Sequence, residues 1–138
     1  MAVCALLMWL VAFPALEFTL PLRELIAAAF FVAGLIVGVS AVLGFRRAKT
    51  TLNPLAPEQA SALVVRGIFR WTRNPMYLAM LLVLIAWACV VSNLAALAIL
   101  PLFVAYLNRF QIVPEERALQ ARFGSEFEQY KRTVRRWL

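Results

Sequence analysis

The chain has no histidine. That absence removes the commonest general base and the commonest zinc ligand. Cysteine is nearly as scarce. Cys4 and Cys89 sit far apart in apolar runs, with neither metal-ligand spacing nor a disulfide framework, and each reads as small apolar filler. Charge is thin. Charged residues are 15% of the 138 and hydrophobic ones 64%, where a soluble domain has about 25% charged and about 45–50% apolar residues. A basic n-region and a clean cleavage site are both missing from MAVCALLMWLVAF, so no cleavable signal peptide is expected.

What is present is apolar sequence in long runs. A spanning helix needs about 20 mainly apolar residues. Four candidates occur: Ala2 to Leu22, interrupted by Pro14 and Glu17; Leu25 to Phe45; Met76 to Val91; and Leu94 to Leu107, which contains Pro101. Ser92-Asn93 makes a tight turn between the last two. Gly34 and Gly38 in the second run allow close helix packing. Glu17, next to Leu20-Pro21, reads as an interfacial acid.

The net charge of +7 is confined to particular segments. Arg46, Arg47, Lys49, Arg66, Arg70 and Arg73 face one acid, Glu58, and seven more Lys/Arg follow Asn108. The other two connections hold only Arg23 and Glu24. Basic loops stay cytoplasmic, so the charge describes topology rather than nucleic-acid binding. The expectation is an all-α integral membrane protein of about four transmembrane helices in a bacterial inner membrane, with both termini and the site cytoplasmic. One domain covers 1–138: two N-terminal spans over 1–45, a cytoplasmic loop over 46–75, a helical hairpin over 76–108 and a cytoplasmic amphipathic tail over 109–138. TLNPLAPEQAS, 51–61, reads as a turn-rich loop. In the tail, Leu119, Phe123, Phe127 and Tyr130 recur at helical spacing, Gly124 marks a helix end or bend, and VRRWL reads as interfacial.

Two polar clusters flank the hairpin. One is Arg73-Asn74-Pro75-x-Tyr77; the other is Arg109 followed by Glu115-Glu116. A tight turn makes the two helices antiparallel neighbours, so both clusters converge on one pocket. Pro75 fits a first helical turn, which leaves free N–H groups at the pocket. Tyr77 offers an aromatic face for a cation. Glu115 and Glu116 can accept from ribose hydroxyls or an amino group. Arg73 and Arg109 can hold a carboxylate or phosphate.

The stretch LVVRGIFRWTRNPMYLA resembles the region leading into the Arg-His-Pro-x-Tyr-x-Gly motif of the isoprenylcysteine carboxyl methyltransferase family, part of a wider group of membrane methyltransferases that includes phospholipid N-methyltransferases. The tail EERALQARFGSEFEQYKRTVRRWL resembles that family's ending. The resemblance covers 46–138. It implies methyl transfer from S-adenosylmethionine to a lipophilic acceptor, with membrane lipids and a small lipophilic substrate as partners. It implies cofactor binding by Val65, Gly67, Ile68, Phe69, Asn74, Pro75, Tyr77, Glu115 and Glu116, and an acceptor role for Arg109. Asn74 stands where eukaryotic members have His, Ala79 where the motif has Gly, and Phe127 where the tail has its first Tyr.

Methyl transfer from a sulfonium is an in-line displacement, so the protein's task is positioning and desolvation. A carboxylate acceptor, as in an isoprenoid or prenylcysteine-like molecule, needs no base, and Arg109 would orient it. An amine acceptor, as in phospholipid methylation, must be neutral, and Glu115 or Glu116 would take its proton. A thiol acceptor, an NADPH-dependent membrane reductase and a non-enzymatic membrane scaffold are the alternatives.

Overall fold

The computed structural model describes residues 1–48 and 62–138. The turn-rich stretch 51–61, with Lys49 and Glu58, lies outside the described residues. Among the described residues six α-helices form the body: α1 (Ala2–Leu10), α2 (Arg23–Arg47), α3 (Pro75–Val91), α4 (Leu94–Leu107), α5 (Val113–Phe123) and α6 (Ser125–Thr133). Among the described residues the β-structure is a single bridge between Glu17 and Asn93.

The first apolar run does not form the helix expected over Ala2 to Leu22. α1 ends at Leu10, and Phe13 is extended with Pro14 opening a short 3-10 turn, Pro14–Leu16. A residue before proline is pushed out of the helical region, and proline itself cannot donate to a continuing helix. The segment instead ties onto the α3–α4 turn. The Phe18 N–H donates to the Ser92 carbonyl (3.0 Å), and Asn93 Nδ2 to the Phe13 carbonyl (2.8 Å).

α2 has 25 residues, about 37 Å at 1.5 Å per residue, and is long and apolar enough to cross a membrane. Glu24 lies in its first turn and Arg46 and Arg47 in its last, charges that complement the helix dipole. It packs closely on α3. A Cβ on Gly34 would meet the Ala79 carbonyl oxygen at 3.0 Å, and one on Gly38 the Ala79 Cβ at 3.4 Å. The Gly34–Gly38 pair is thus used within the chain, and it makes room for the methyl group of Ala79.

The hairpin forms as its turn chemistry dictates. Ser92 adopts the left-handed conformation (φ 50°), and Asn93 caps α4 by accepting from the Ala95 N–H at 3.0 Å. α1, α3 and α4 meet in a core that includes Met8, Leu84, Ala88 and Phe103. Residue 108, expected to separate hairpin from tail, is no break in the backbone. α4 runs through a π-turn, Asn108–Ile112, directly into α5, making one continuous helix, Leu94–Phe123, of 30 residues. Its wholly apolar part, Leu94–Leu107, is about 21 Å long, and the helix reaches about 28 Å by residue 112, close to a hydrocarbon core of about 30 Å. α5 and α6 lie beyond it. Gly124 (φ 51°) makes the bend between them, where a side chain would be strained.

Candidate active site

The site is built at the end of the bundle where α3 begins and α4 runs into α5. Gly67, at φ 64°, permits the turn that opens the 3-10 segment Gly67–Arg70. That segment buries Phe69 edge-on against Phe45, with ring centroids 5.0 Å apart. The Tyr130 hydroxyl donates to the Phe69 carbonyl at 2.7 Å. Burial pushes its pKa up, opposed by the nearby Arg73, so it remains a protonated donor.

The last residues strap the start of α3 in place. The Arg136 carbonyl accepts from Thr72 Oγ1 (3.2 Å) and from Asn74 Nδ2 (2.9 Å), and the Arg135 carbonyl accepts from the Arg73 N–H (3.0 Å). Arg73 Nη2 donates to Glu116 Oε1 at 2.9 Å. Arg136 grips the same carboxylate with Nε at 3.1 Å and Nη2 at 2.6 Å. Trp137 Nε1 reaches Asn108 Oδ1 at 3.2 Å. The VRRWL segment therefore folds back onto the bundle. Glu116 is saturated by two arginines and holds three segments together. Glu115, its neighbour, accepts from the Tyr77 hydroxyl, at 3.1 Å. Burial raises the Glu115 carboxyl pKa; the Tyr77 hydrogen bond pulls it back, and Glu116 adds to the rise.

Behind these groups lies a cavity of about 800 Å³, in the range of sites for small molecules and cofactors. Its polar rim is Arg73, Asn74, Tyr77, Gln111, Glu115 and Glu116, and Pro75 and Tyr130 also line it. One apolar wall comes from α1, α3 and α4, through Cys4, Met80, Phe103 and Leu107; Phe69, Leu119 and Phe127 close the other side. Two sets of donors are left over. Asn74 makes no side-chain cap to α3, so the Met76 and Tyr77 N–H groups have no helical acceptor. Arg73 Nε is buried without a hydrogen-bond partner, a state that costs free energy unless a ligand satisfies it. The arrangement suits a ligand with an anionic or hydroxyl-bearing end, a cationic centre and an apolar neighbour.

Of the residues expected from sequence, the structure brings Phe69, Arg73, Asn74, Pro75, Tyr77, Glu115 and Glu116 to this cavity. It does not bring Val65, Gly67 or Ile68, which serve the turn behind Phe69, nor Arg109. Arg109 is exposed and outside the lining. The cavity face of the long helix is the row Phe103, Leu107, Gln111, Glu115, Leu119, four residues apart. At 100° per residue such a row would drift around an α-helix, and the wider π-turn takes up part of that drift. Arg109, two residues from Leu107 and two from Gln111, falls on the opposite side. Gln111 was missed from sequence, although the four-residue recurrence ending in Glu115 could have indicated it. Its amide has no protein partner among the described residues. Phe123 belongs to the tail's apolar face yet stays off the cavity, while Leu119, Phe127 and Tyr130 line it.

Residues 22–126 match the family model described as phospholipid methyltransferase. A protein of Haemophilus influenzae, described only as uncharacterized, is 44% identical over 63 residues, which are 46% of this chain and 100% of that protein. No solved structure matches.

Proposed function

The chain belongs to the phospholipid methyltransferase family, a group of membrane methyltransferases, and from that premise we propose that its cavity binds S-adenosylmethionine and passes the methyl group to a lipid amine. The observation that carries this reading is the cavity itself, in which the open first turn of α3 and the Glu115 carboxylate share one space with an apolar wall.

The residues present fit the cofactor's chemistry. The open N–H groups of α3's first turn suit its carboxylate, and the Tyr77 ring suits its cationic centre. When bound, S-adenosylmethionine supplies a methyl group on a sulfonium, a good leaving group for in-line displacement. Glu115 and Tyr77 then face the acceptor. A neutral amine would attack that methyl group, its N–C bond forming as the S–C bond breaks and leaves a neutral thioether, and would release its N–H proton to a Glu115 oxygen. Glu116 cannot take that role, because both its oxygens are held by Arg73 and Arg136. Burial strengthens Glu115 as a base by raising its pKa. The apolar wall excludes water and carries the lipid tail.

A carboxylate acceptor of the isoprenoid or prenylcysteine-like kind is the second reading. It rests on Arg73, the arginine side chain that lines the cavity among the described residues. The cation expected to orient such an acceptor, Arg109, is outside the cavity, and that weighs toward the amine. In the bilayer we place four apolar segments across an inner membrane, the basic end cytoplasmic by the distribution of arginine and lysine. α3, at 17 residues, is about 26 Å long and crosses with slight thinning; α1 crosses together with the extended residues after it.

The test is calorimetric titration of S-adenosylmethionine, S-adenosylhomocysteine and NADPH into purified protein, followed by methyl-transfer assays with lipid amines and isoprenoid carboxylates. Binding of the two adenosyl ligands and turnover of the amine are expected. A folded protein that binds neither sinks the proposal.

A further inference from the structure

A second depression, of about 450 Å³, runs along the outside of the bundle between α2 and α3. Gly34, Gly38 and Ala79 form its floor, Phe31 closes one end, and Arg46 stands at the other. The two glycines let α2 lie directly on α3 there, and Leu35, Val39, Val42, Leu43 and Val83 line the hollow beside that contact. From Phe31 to Arg46 it runs about 22 Å at the helical rise, more than half of a hydrocarbon core of about 30 Å. One acyl chain from the leaflet at the basic end can therefore lie along it. Arg46 is exposed and has no ion-pair or hydrogen-bond partner among the described residues. An apolar channel ending in an exposed guanidinium has the charge pattern of a phosphate-bearing lipid.

The groove is also continuous with the candidate active site. Met1 and Met80 line both hollows. Gly44, two residues before Arg46, packs against Phe69, which lines the cavity. Arg46 thus stands at the same end of the bundle as the polar rim.

We propose that this groove is the docking site of the acceptor phospholipid, with one acyl chain along α2 and α3 and the phosphate on Arg46, so that the headgroup meets the cavity beside Met1 and Met80. This rests on the methyltransferase reading for the identity of the acceptor, but not for the lipid site. The experiment is native mass spectrometry of the full chain titrated with phosphatidic acid and with a diacylglycerol of the same chains, beside S-adenosylmethionine binding. Arg46→Gln is expected to weaken phosphatidic acid about fivefold and leave diacylglycerol unchanged. Arg47→Gln, which removes a neighbouring arginine outside the groove, is expected to change neither. Val39→Phe, which fills a groove wall, is expected to weaken both lipids. All three variants should bind S-adenosylmethionine as the wild type does, which also reports folding. Equal lipid binding by wild type, Arg46→Gln and Val39→Phe overturns the proposal. Equal losses in Arg46→Gln and Arg47→Gln reduce it to surface charge, and a dimer dissociated by Val39→Phe with lipid affinity intact assigns the groove to a second copy. Lipid binding as expected without S-adenosylmethionine binding sinks the methyltransferase reading and keeps the groove.

Discussion

The two ends of the α3–α4 pair are each opened by an asparagine, and the two asparagines do opposite work. At the turn, Asn93 is fully buried, caps α4 through the Ala95 N–H and anchors the Phe13 carbonyl. Both ends of its side-chain amide are spent on structure. At the basic end, Asn74 occupies the same position before α3 but leaves the helix uncapped, giving its Nδ2 to the Arg136 carbonyl. The first turn of α3 is then free to face the cavity. The same residue at the same helical position closes one end and opens the other. An uncapped helix start beside an unsatisfied buried Arg73 Nε is a feature that stability alone would not keep.

Variants can break this contrast, and the largest expected effect is at Glu115. Glu115→Gln removes the base and should lower kcat with a lipid amine by about 100-fold or more, with S-adenosylmethionine affinity nearly unchanged by calorimetry. An undiminished rate would exclude Glu115 as proton acceptor. In the wild type the basic form is the active one. Burial raises its pKa, so kcat should fall as pH drops through a value above the ordinary carboxylate range, and Glu115→Gln should lose that limb.

Glu116→Ala tests the clamp. It strands Arg73, whose side chain is only 12% exposed. Full burial of an unpaired charge costs about 3–5 kcal/mol, and partial exposure reduces the expected loss to about 2–3 kcal/mol. Thermal unfolding would read it, with ligand binding lost alongside.

Asn93→Ala should cost about 1–2 kcal/mol, as typical for a lost cap, and leave S-adenosylmethionine affinity untouched. Asn74→Ala should cost less stability, about 1 kcal/mol for one hydrogen bond, yet weaken the ligand, because the strap over α3 loosens. Equal effects on ligand binding by both variants would erase the distinction between the two ends. Tyr130→Phe is the mildest. It removes the bond to the Phe69 carbonyl and should lower stability by about 1 kcal/mol with kcat preserved.

Much of the arrangement was legible in the residues, for local reasons. Ser92-Asn93 between apolar runs requires two antiparallel helices, and this alone brings Asn74-Pro75-x-Tyr77 near Glu115-Glu116. Pro75 starts α3 as first-turn chemistry suggests, and Gly124 bends the tail. The misses are of another kind. The span expected over Ala2 to Leu22 ends at Leu10, because hydrophobicity does not report where Pro14 stops a helix. Hairpin and tail, divided at 108, are joined by a π-turn that periodicity does not announce, and that turn sets which side chains of the long helix face inward. Arg109 was placed by its nearness in sequence to Glu115, when helical phase turns it away.

From the sequence alone came the all-helical class, the membrane-scale apolar runs, the basic end and the two polar clusters at one end of a hairpin. These follow from composition, period and turn chemistry, all of which act over a few residues. Tertiary structure alone decided which neighbour becomes the clamp and which the candidate base. Glu116 meets Arg73, 43 positions away, and Arg136, 20 away, while Glu115 meets Tyr77, 38 away. Pairings at such separation depend on the phase of a helix with a π-turn in it and on a chain end folding back, and neither is written in any local stretch.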